Sequence, residues 1–297
     1  MRAQQLIEKL GLPGTDEAIT STQRFPDGGQ YRIEIPSTEG PKVLRAVLEE
    51  AQLRQVPIHR VSQGSGIMLM SNTEIFEMLE IGREAKVEVN LFIGPRATYD
   101  TGAQVFSPAG KALGLAARGA TQLAFALEDL LHAIDLGLRS VLVSDLGVLQ
   151  IIGQLKKSGD LPADLIIKTS VMMAPCNPAS ARLMEDLGAT TLNIPSDLSI
   201  PQIAAIRQAV HMPIDFYVEA PDNIGGFLRY YEIPELIRVA APIYLKYGLR
   251  NSPDVYPSGT HLENTVIALS RERVRRAQLG QEFIERYCPD AVMSPRV

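Results

Sequence analysis

Polar side chains alternate with apolar ones in several short β-type runs of this sequence. The runs KVEVNLF, LIIKTS, IDFYVE and IYLKY carry charged or polar residues at alternate positions. Because successive strand residues face opposite sides of a sheet, the alternation predicts one apolar face and one polar face on each strand. A lysine beside carboxylates on the polar face can form a Schiff base with a carbonyl compound or exchange protons with it. The spacing therefore indicates chemistry on a small carbonyl compound.

Three residues are the candidates for catalysis. Lys168 is the expected electrophile or partner of a substrate anion, since burial or a neighbouring cation such as Lys246 would lower its pKa. Glu219 and Glu88 are the acid–base candidates. The alternative is a structural ion pair of Lys168 with Glu88 or Asp215.

Further residues are candidates for binding the substrate. Arg60 and Asn193 are expected to orient it, and Tyr217 to hydrogen-bond a developing hydroxyl. The run PIHRVS is ambiguous: either positions 60 and 62 or positions 59 and 61 share the polar face, and position 60 is favoured. The candidates for substrate binding are Glu34, Arg60, Asn90, Asn193, Tyr217, Lys246, Arg96, Gly225 and Gly226.

Two glycine-containing loops are candidates for holding an anion. The Gly225-Gly226 pair follows the seventh strand, where backbone N–H groups of α/β barrels often bind phosphate. A flexible turn is the alternative there. The stretch SQGSG at 62–66 is a second candidate nest.

The acids on the polar faces make a divalent metal, magnesium or manganese, a possible cofactor. No pair of histidines has a zinc-type spacing, and two cysteines, Cys176 and Cys288, cannot supply a four-cysteine cluster. We therefore expect no iron–sulfur cluster. The possible metal ligands are Glu34, Glu88, Asp215 and Glu219.

Eight strand patterns alternate with helical ones along the chain. Strict alternation predicts parallel pairing with right-handed crossovers, and eight units favour an α/β fold of the (β/α)8 TIM-barrel type over an open doubly wound sheet. No G-x-G-x-x-G follows the first strand pattern. Helices are predicted over 41–55, 122–136, 177–188 and 199–210. The predicted strands cover 31–36, 57–62, 86–93, 140–145, 165–170, 190–194, 214–219 and 242–247.

The chain is expected to form a single domain over 1–297. Residues 1–29 are predicted as a helical extension and 94–121 as a long loop inserted after the third strand. Such a loop serves as a lid or an oligomer arm, so a homo-oligomer is possible. It would lie at the carboxyl ends of the strands, where barrel active sites are found.

The composition limits the class of protein. Its 297 residues are 45% hydrophobic and carry 29 basic against 34 acidic side chains, a formal net charge of −5. These values are typical of a folded globule and unfavourable for a nucleic-acid surface. No apolar run reaches the length of a membrane span, and the first residues do not read as a signal peptide. We expect a cytoplasmic protein with a small-molecule substrate, without nucleic-acid or membrane partners.

The region from about residue 130 to 287 resembles the collagenase-like peptidases of unknown catalytic mechanism, family 32 of that class. The resemblance rests on GLRSVLVSDLG, DLGATTLNIPSDLSIPQIAAIRQAV, MPIDFYVEAP and ENTVIALSRERVRRAQ. It implies a barrel-type catalytic domain and, as an alternative function, a hydrolase or peptidase. The family pattern near strand seven is Glu-x-Phe-x-x-Gly-small-x-Cys. Residues 215–221, DFYVEAP, lack its glycine and cysteine, so the iron–sulfur cluster of some relatives is not carried over.

Three functions are therefore weighed for this sequence. The favoured one is an enzyme of the lyase or aldolase type that acts on a small polar or anionic metabolite and abstracts a proton next to a carbonyl. The family-type peptidase is the second. The third is a non-catalytic ligand-binding barrel.

Overall fold

Eight parallel strands and nine α-helices make up the part of the chain that the computed structural model describes, residues 1–94 and 115–296. The strands are β1 Tyr31–Pro36, β2 Arg60–Ser62, β3 Glu88–Phe92, β4 Ser140–Val143, β5 Ile166–Thr169, β6 Leu192–Asn193, β7 Ile214–Glu219 and β8 Ile243–Tyr247. The helices are α1 Arg2–Lys9, α2 Pro41–Arg54, α3 Asn72–Ala85, α4 Gly119–Asp135, α5 Leu146–Ser158, α6 Pro178–Asp186, α7 Ile200–Ala209, α8 Ile233–Ala240 and α9 Glu263–Tyr287.

The sheet closes on itself into a barrel. Its hydrogen-bonded strand order is β5-β4-β3-β2-β1-β8-β7-β6, and all pairs are parallel. At the remaining seam, Lys168 of β5 forms a parallel bridge with Thr191 beside β6. The Thr190 amide donates to the Ile167 carbonyl at 2.8 Å, and the Thr169 amide to the Thr191 carbonyl at 3.1 Å. The predicted (β/α)8 TIM barrel is confirmed.

Local sequence signals determine where the helices begin. α2 starts with Pro41 in its first turn, where the missing N–H group removes no hydrogen bond. Ser71 and Ser199 cap α3 and α7 through capping boxes, and Asn177 caps α6. These caps fix the helices against the outer face of the barrel. There the strands place fully buried apolar side chains such as Ile33.

Most strands are shorter than predicted, while β1 and β7 match. Helix α4 begins at Gly119, inside the range predicted as a loop. The centre of that predicted insertion, residues 95–114 with Arg96, lies outside the described residues. No helix in the described ranges has the length and apolar character that a membrane span requires.

The chain's last residues close the amino-terminal end of the barrel. Met293 forms a parallel bridge with Tyr31, and the Ser294 amide donates to the Tyr31 carbonyl at 3.1 Å. His59 links this segment to the sheet: its Nδ1 accepts from the Ile33 amide at 3.1 Å and its Nε2 lies 2.8 Å from the Ser294 carbonyl. This arrangement uses the neutral imidazole.

We predict that His59 makes the fold sensitive to acid. Burial lowers the pKa of His59 from 6.5 to about 4, so the unfolded chain takes up a proton before the folded one. The stabilisation is complete above pH 6.5 and is lost as the pH falls towards 4, by about 3 kcal/mol in the free energy of unfolding. Urea unfolding of the wild type and His59→Asn across this range measures it. His132→Gln, a change at an exposed histidine, should keep the wild-type slope, and an equal slope in His59→Asn would contradict the assignment.

Candidate functional site

Glu34 of β1 lies at the centre of the barrel interior and contacts three cations. Lys168 donates a short hydrogen bond to Glu34 Oε1, and the Nζ of Lys246 lies 3.5 Å from the same oxygen. Arg60 Nη1 is 3.3 Å from Oε2. Burial by itself would raise the pKa of Glu34, but the three cations, Lys168 foremost, hold it well below its usual value. Glu34 is therefore a buried carboxylate anion.

Asp215 of β7 is the second buried acid of this cluster. Its Oδ1 accepts from Arg60 Nη1 at 2.9 Å, and its Oδ2 accepts from Thr191 Oγ1 at 2.8 Å. Lys168 Nζ lies 3.7 Å from Oδ2. The interior cations and acids thus compensate one another across β1, β2, β5 and β7.

Arg60 and Glu88 form the lower layer of the cluster. Each is the first residue of its strand, which places both towards the amino-terminal end of the barrel. Arg60 Nε donates to Glu88 at 2.8 Å, and the guanidinium stacks 3.6 Å from the Tyr244 ring centroid. Glu88 also accepts from Ser140 Oγ at 2.6 Å. The sequence favoured an inward Arg60, which is confirmed. Glu88 is held by Arg60 beneath Glu34 and does not contact Lys168.

Lys168 is fully buried and its electrostatics are unusual for a lysine. Burial lowers its pKa to about 8, although Asp215 and Glu34 favour the ammonium form. The nearby Lys246 and Arg60 lower the pKa further. Its Nζ also lies 3.2 Å from Ser62 Oγ. The lowered pKa makes the uncharged amine of Lys168 more accessible than that of an ordinary lysine.

Several polar atoms around this cluster have no complete set of partners. The Oδ1 atoms of Asn90 and Asn193 are buried without a hydrogen-bond partner in the described ranges. Asn90 donates through Nδ2 to Ser140 Oγ at 2.8 Å. Lys246 Nζ lies 4.1 Å from the ring centroid of Tyr217, whose pKa burial raises so far that its hydroxyl stays neutral. Buried acceptors of this kind are usually satisfied, so they suit hydrogen-bond donors of a ligand.

Glu219 does not join the cluster. Between β7 and β8 the register shifts, since Tyr217 pairs with Lys246 while Glu219 pairs with its neighbour Tyr247. This bulge breaks the alternation of side chains, so Glu219 turns towards the helices and away from Lys168. The predicted inward orientation of Glu219 is therefore wrong. Its partners are the Tyr230 hydroxyl at 2.8 Å, the Arg250 amide at 3.0 Å and the Arg276 guanidinium at 3.4 Å.

Neither glycine-containing loop offers the predicted cradle for an anion. The Gly225 and Gly226 amides donate to carbonyl oxygens earlier in their own loop, at 3.2 and 3.1 Å. At 62–66, the Gly64 and Ser65 amides donate to the Glu39 carboxylate at 2.7 and 3.1 Å. The protein's own acceptors therefore occupy both nests.

The predicted metal site is not assembled either. Within residues 1–94 and 115–296, no three His, Cys, Asp or Glu side chains are grouped as a metal ion would require. Glu34, Asp215 and Glu88 accept from protein cations and hydroxyls, while Glu219 lies outside the barrel. These residues do not fit a magnesium or manganese ion, so no step is assigned to one.

Sequence reasoning missed Arg273 of α9, a buried arginine that no strand pattern could reveal. One signal was present: Val266, Ser270, Val274 and Ala277 form the buried stripe of α9, and position 273 falls on it. Only 4% of the Arg273 surface is exposed.

Fold and site together define a parallel eight-stranded α/β barrel with a charged interior. The model of Peptidase family U32 matches residues 118–220, which include Lys168, Asn193 and Asp215. The chain thus resembles this family over β4 to β7, a shorter range than the sequence had predicted. No curated protein matches the chain in sequence.

Two solved structures are similar to this chain at low sequence identity. The YdjI aldolase from Escherichia coli K12 is 12% identical, with 86% of this chain and 91% of that chain covered and a TM-score of 0.52. The U32 peptidase Mk0906 is 15% identical, with 79% and 98% covered and a TM-score of 0.43. At this identity the likeness to the YdjI aldolase supports the fold alone.

We predict that Glu34→Gln destabilises the protein by about 3 kcal/mol or more, because it leaves three buried cations without their central anion. Urea unfolding measures the loss. Glu80→Gln, which breaks an exposed pair with Arg83, is the matched control and should cost far less stability than Glu34→Gln. Equal losses in the two variants would show that the buried pairing contributes no more than a surface ion pair.

Proposed function

We propose that this protein is an enzyme of the lyase or aldolase type that acts on a small polar carbonyl compound in the barrel. The observation that carries the proposal is Lys168: fully buried, with a pKa lowered to about 8 and hydrogen-bonded to a carboxylate. Perturbed ionisable groups of this kind cluster at functional sites, and barrel active sites use residues near the carboxyl ends of strands.

The chemistry follows from the amine and its neighbours. Uncharged Lys168 attacks the carbonyl carbon, and with one proton the adduct loses water to give an iminium ion. The positive charge then lies beside the Glu34 and Asp215 carboxylates, which stabilise it. The iminium withdraws electrons from the neighbouring C–H or C–C bond, which is the step common to proton abstraction and aldol cleavage.

The roles of the other residues differ from those that the sequence suggested. Glu34 replaces Glu219 and Glu88 as the carboxylate that orients the amine, since it alone of the three is hydrogen-bonded to Lys168. Asn193 and Tyr217 are the groups we assign to substrate orientation. Arg60 supports the acids from below.

We predict that borohydride traps a carbonyl compound on Lys168. Treatment with pyruvate or glyceraldehyde and borohydride should give a covalent adduct that peptide mapping by mass spectrometry assigns to this lysine. The yield should rise as the pH increases through about 8, because only the uncharged amine attacks.

Two variants make this experiment decisive. Lys168→Arg should abolish the specific adduct, whereas Lys157→Arg, at an exposed lysine of α5, should leave it unchanged. Adducts spread over exposed lysines to the same extent in all three proteins would overturn the Schiff-base role.

The second candidate function is a peptidase, and the family match over residues 118–220 favours it. If the protein is a peptidase, it should release new amino termini from a peptide library. A variant of the barrel interior such as Asp215→Asn should lose this activity. A library left intact under conditions where Lys168 forms its adduct would remove this candidate.

A further inference from the structure

Arg273 is a buried cation that forms no ion pair within 4 Å in the described ranges. Its Nη1 donates to Ser270 Oγ at 3.1 Å on the same helix, and its Nε has no hydrogen-bond partner among the described residues. Leaving a guanidinium buried and unpaired is unfavourable for the folded protein. A buried guanidinium of this kind has either a structural role or a role in binding, in which a ligand supplies an anion at ion-pairing distance.

The position of Arg273 on α9 places it at the mouth of the barrel. Arg276, three residues later, pairs at 3.4 Å with Glu219, the last residue of β7. Since α9 runs from the mouth towards the amino-terminal end, Arg273 lies about 4.5 Å closer to the mouth than Arg276. The Tyr256 and Tyr217 hydroxyls and the Glu39 carboxylate act on it electrostatically, so its guanidinium lies near the rim where β1, β7 and β8 end.

Other polar groups share this rim. Lys246 stacks on the Tyr217 ring and lies 3.5 Å from Glu34. Ser37, which follows β1, pairs with the Tyr256 hydroxyl at 2.5 Å. Asn193, the last residue of β6, keeps its buried Oδ1 without a partner.

The charges select the kind of anion. In the interior cluster three cations face three acids. Glu39 acts on Arg273 electrostatically from beyond ion-pairing distance, and its carboxylate accepts from the Gly64 and Ser65 amides. A guanidinium fork matches a planar carboxylate in a bidentate manner. A phosphate dianion would need more donors, and the backbone nests at Gly64 and Gly225 are already occupied. The site therefore suits a monoanionic carboxylate.

We propose that Arg273 binds the carboxylate of the substrate, which makes the substrate an oxo acid. That the substrate has a carbonyl group rests on the function proposed above. That it has a carboxylate rests on Arg273 alone. Arg273 is then a residue that determines specificity.

The test compares Arg273→Met with the wild type and with Arg275→Met, a change at an exposed arginine of the same helix. The probes are pyruvate, 2-oxobutyrate and 2-oxoglutarate, the neutral analogue pyruvamide, and inorganic phosphate, with binding measured by calorimetry. Wild type and Arg275→Met should bind at least one oxo acid. Arg273→Met should bind it at least about tenfold more weakly. Pyruvamide and phosphate should not compete.

Thermal unfolding separates a binding role from a structural one. If Arg273 serves the ligand, Arg273→Met removes an unpaired buried charge and unfolds at the same temperature as the wild type or higher. The oxo acid then raises the unfolding temperature of the wild type and not of the variant. A variant that unfolds at a lower temperature, or fails to fold, shows a structural role and overturns the proposal. The proposal is also overturned if the wild type binds phosphate in preference to the oxo acids, or if it binds none of the oxo acids.

The outcomes also separate this inference from the proposed function. Arg273-dependent binding of an oxo acid without a Lys168 adduct would leave the inference standing and remove the Schiff-base chemistry. Equal adduct yields from pyruvate and pyruvamide, unchanged in Arg273→Met, would remove the inference about Arg273 and leave the Schiff-base chemistry standing. Arg273→Lys keeps the charge without the planar fork, and we expect intermediate affinity from it.

Discussion

The mutual compensation of charge inside the barrel is the interaction on which the rest of the structure depends. Six acidic and basic side chains meet there, and a charge on any of them would be strongly unfavourable if it were buried alone. Glu34 and Asp215 permit the three cations to be buried, and the cations in turn keep Glu34 ionised. Since the six side chains come from six different strands, they are brought together only when the barrel closes.

This compensation also explains why Lys168 differs from an ordinary structural lysine. A buried lysine with one carboxylate would be stabilised as the ammonium ion, whereas Lys168 shares its carboxylates with Lys246 and Arg60. Burial is the largest cause of the lowered pKa of Lys168, and the neighbouring Lys246 and Arg60 lower it further. The same surroundings stabilise the cluster and lower the pKa of this amine.

Much of this interior was predictable from alternation along the strands. Glu34, Lys168 and Asp215 lie on regular stretches of strand, where polar residues between apolar ones must share one face. Glu219 lies beyond a bulge, which turns the following side chains to the other face of the sheet and leaves no signal in the sequence. Arg273 enters from a helix, outside any argument based on strands. The closed nests at Gly64 and Gly225 depend on contacts between loops, which residue types alone do not specify.

The pKa of Lys168 tests the central claim most directly. It can be measured by NMR titration of lysine side chains labelled with nitrogen-15, with the Lys168 signal assigned from its loss in the Lys168→Arg variant. The account predicts a midpoint at about 8, below the ordinary value of 10.5. A midpoint at or above 10.5 would show that Glu34 and Asp215 hold a permanent ammonium ion, and would contradict a nucleophilic role for this lysine.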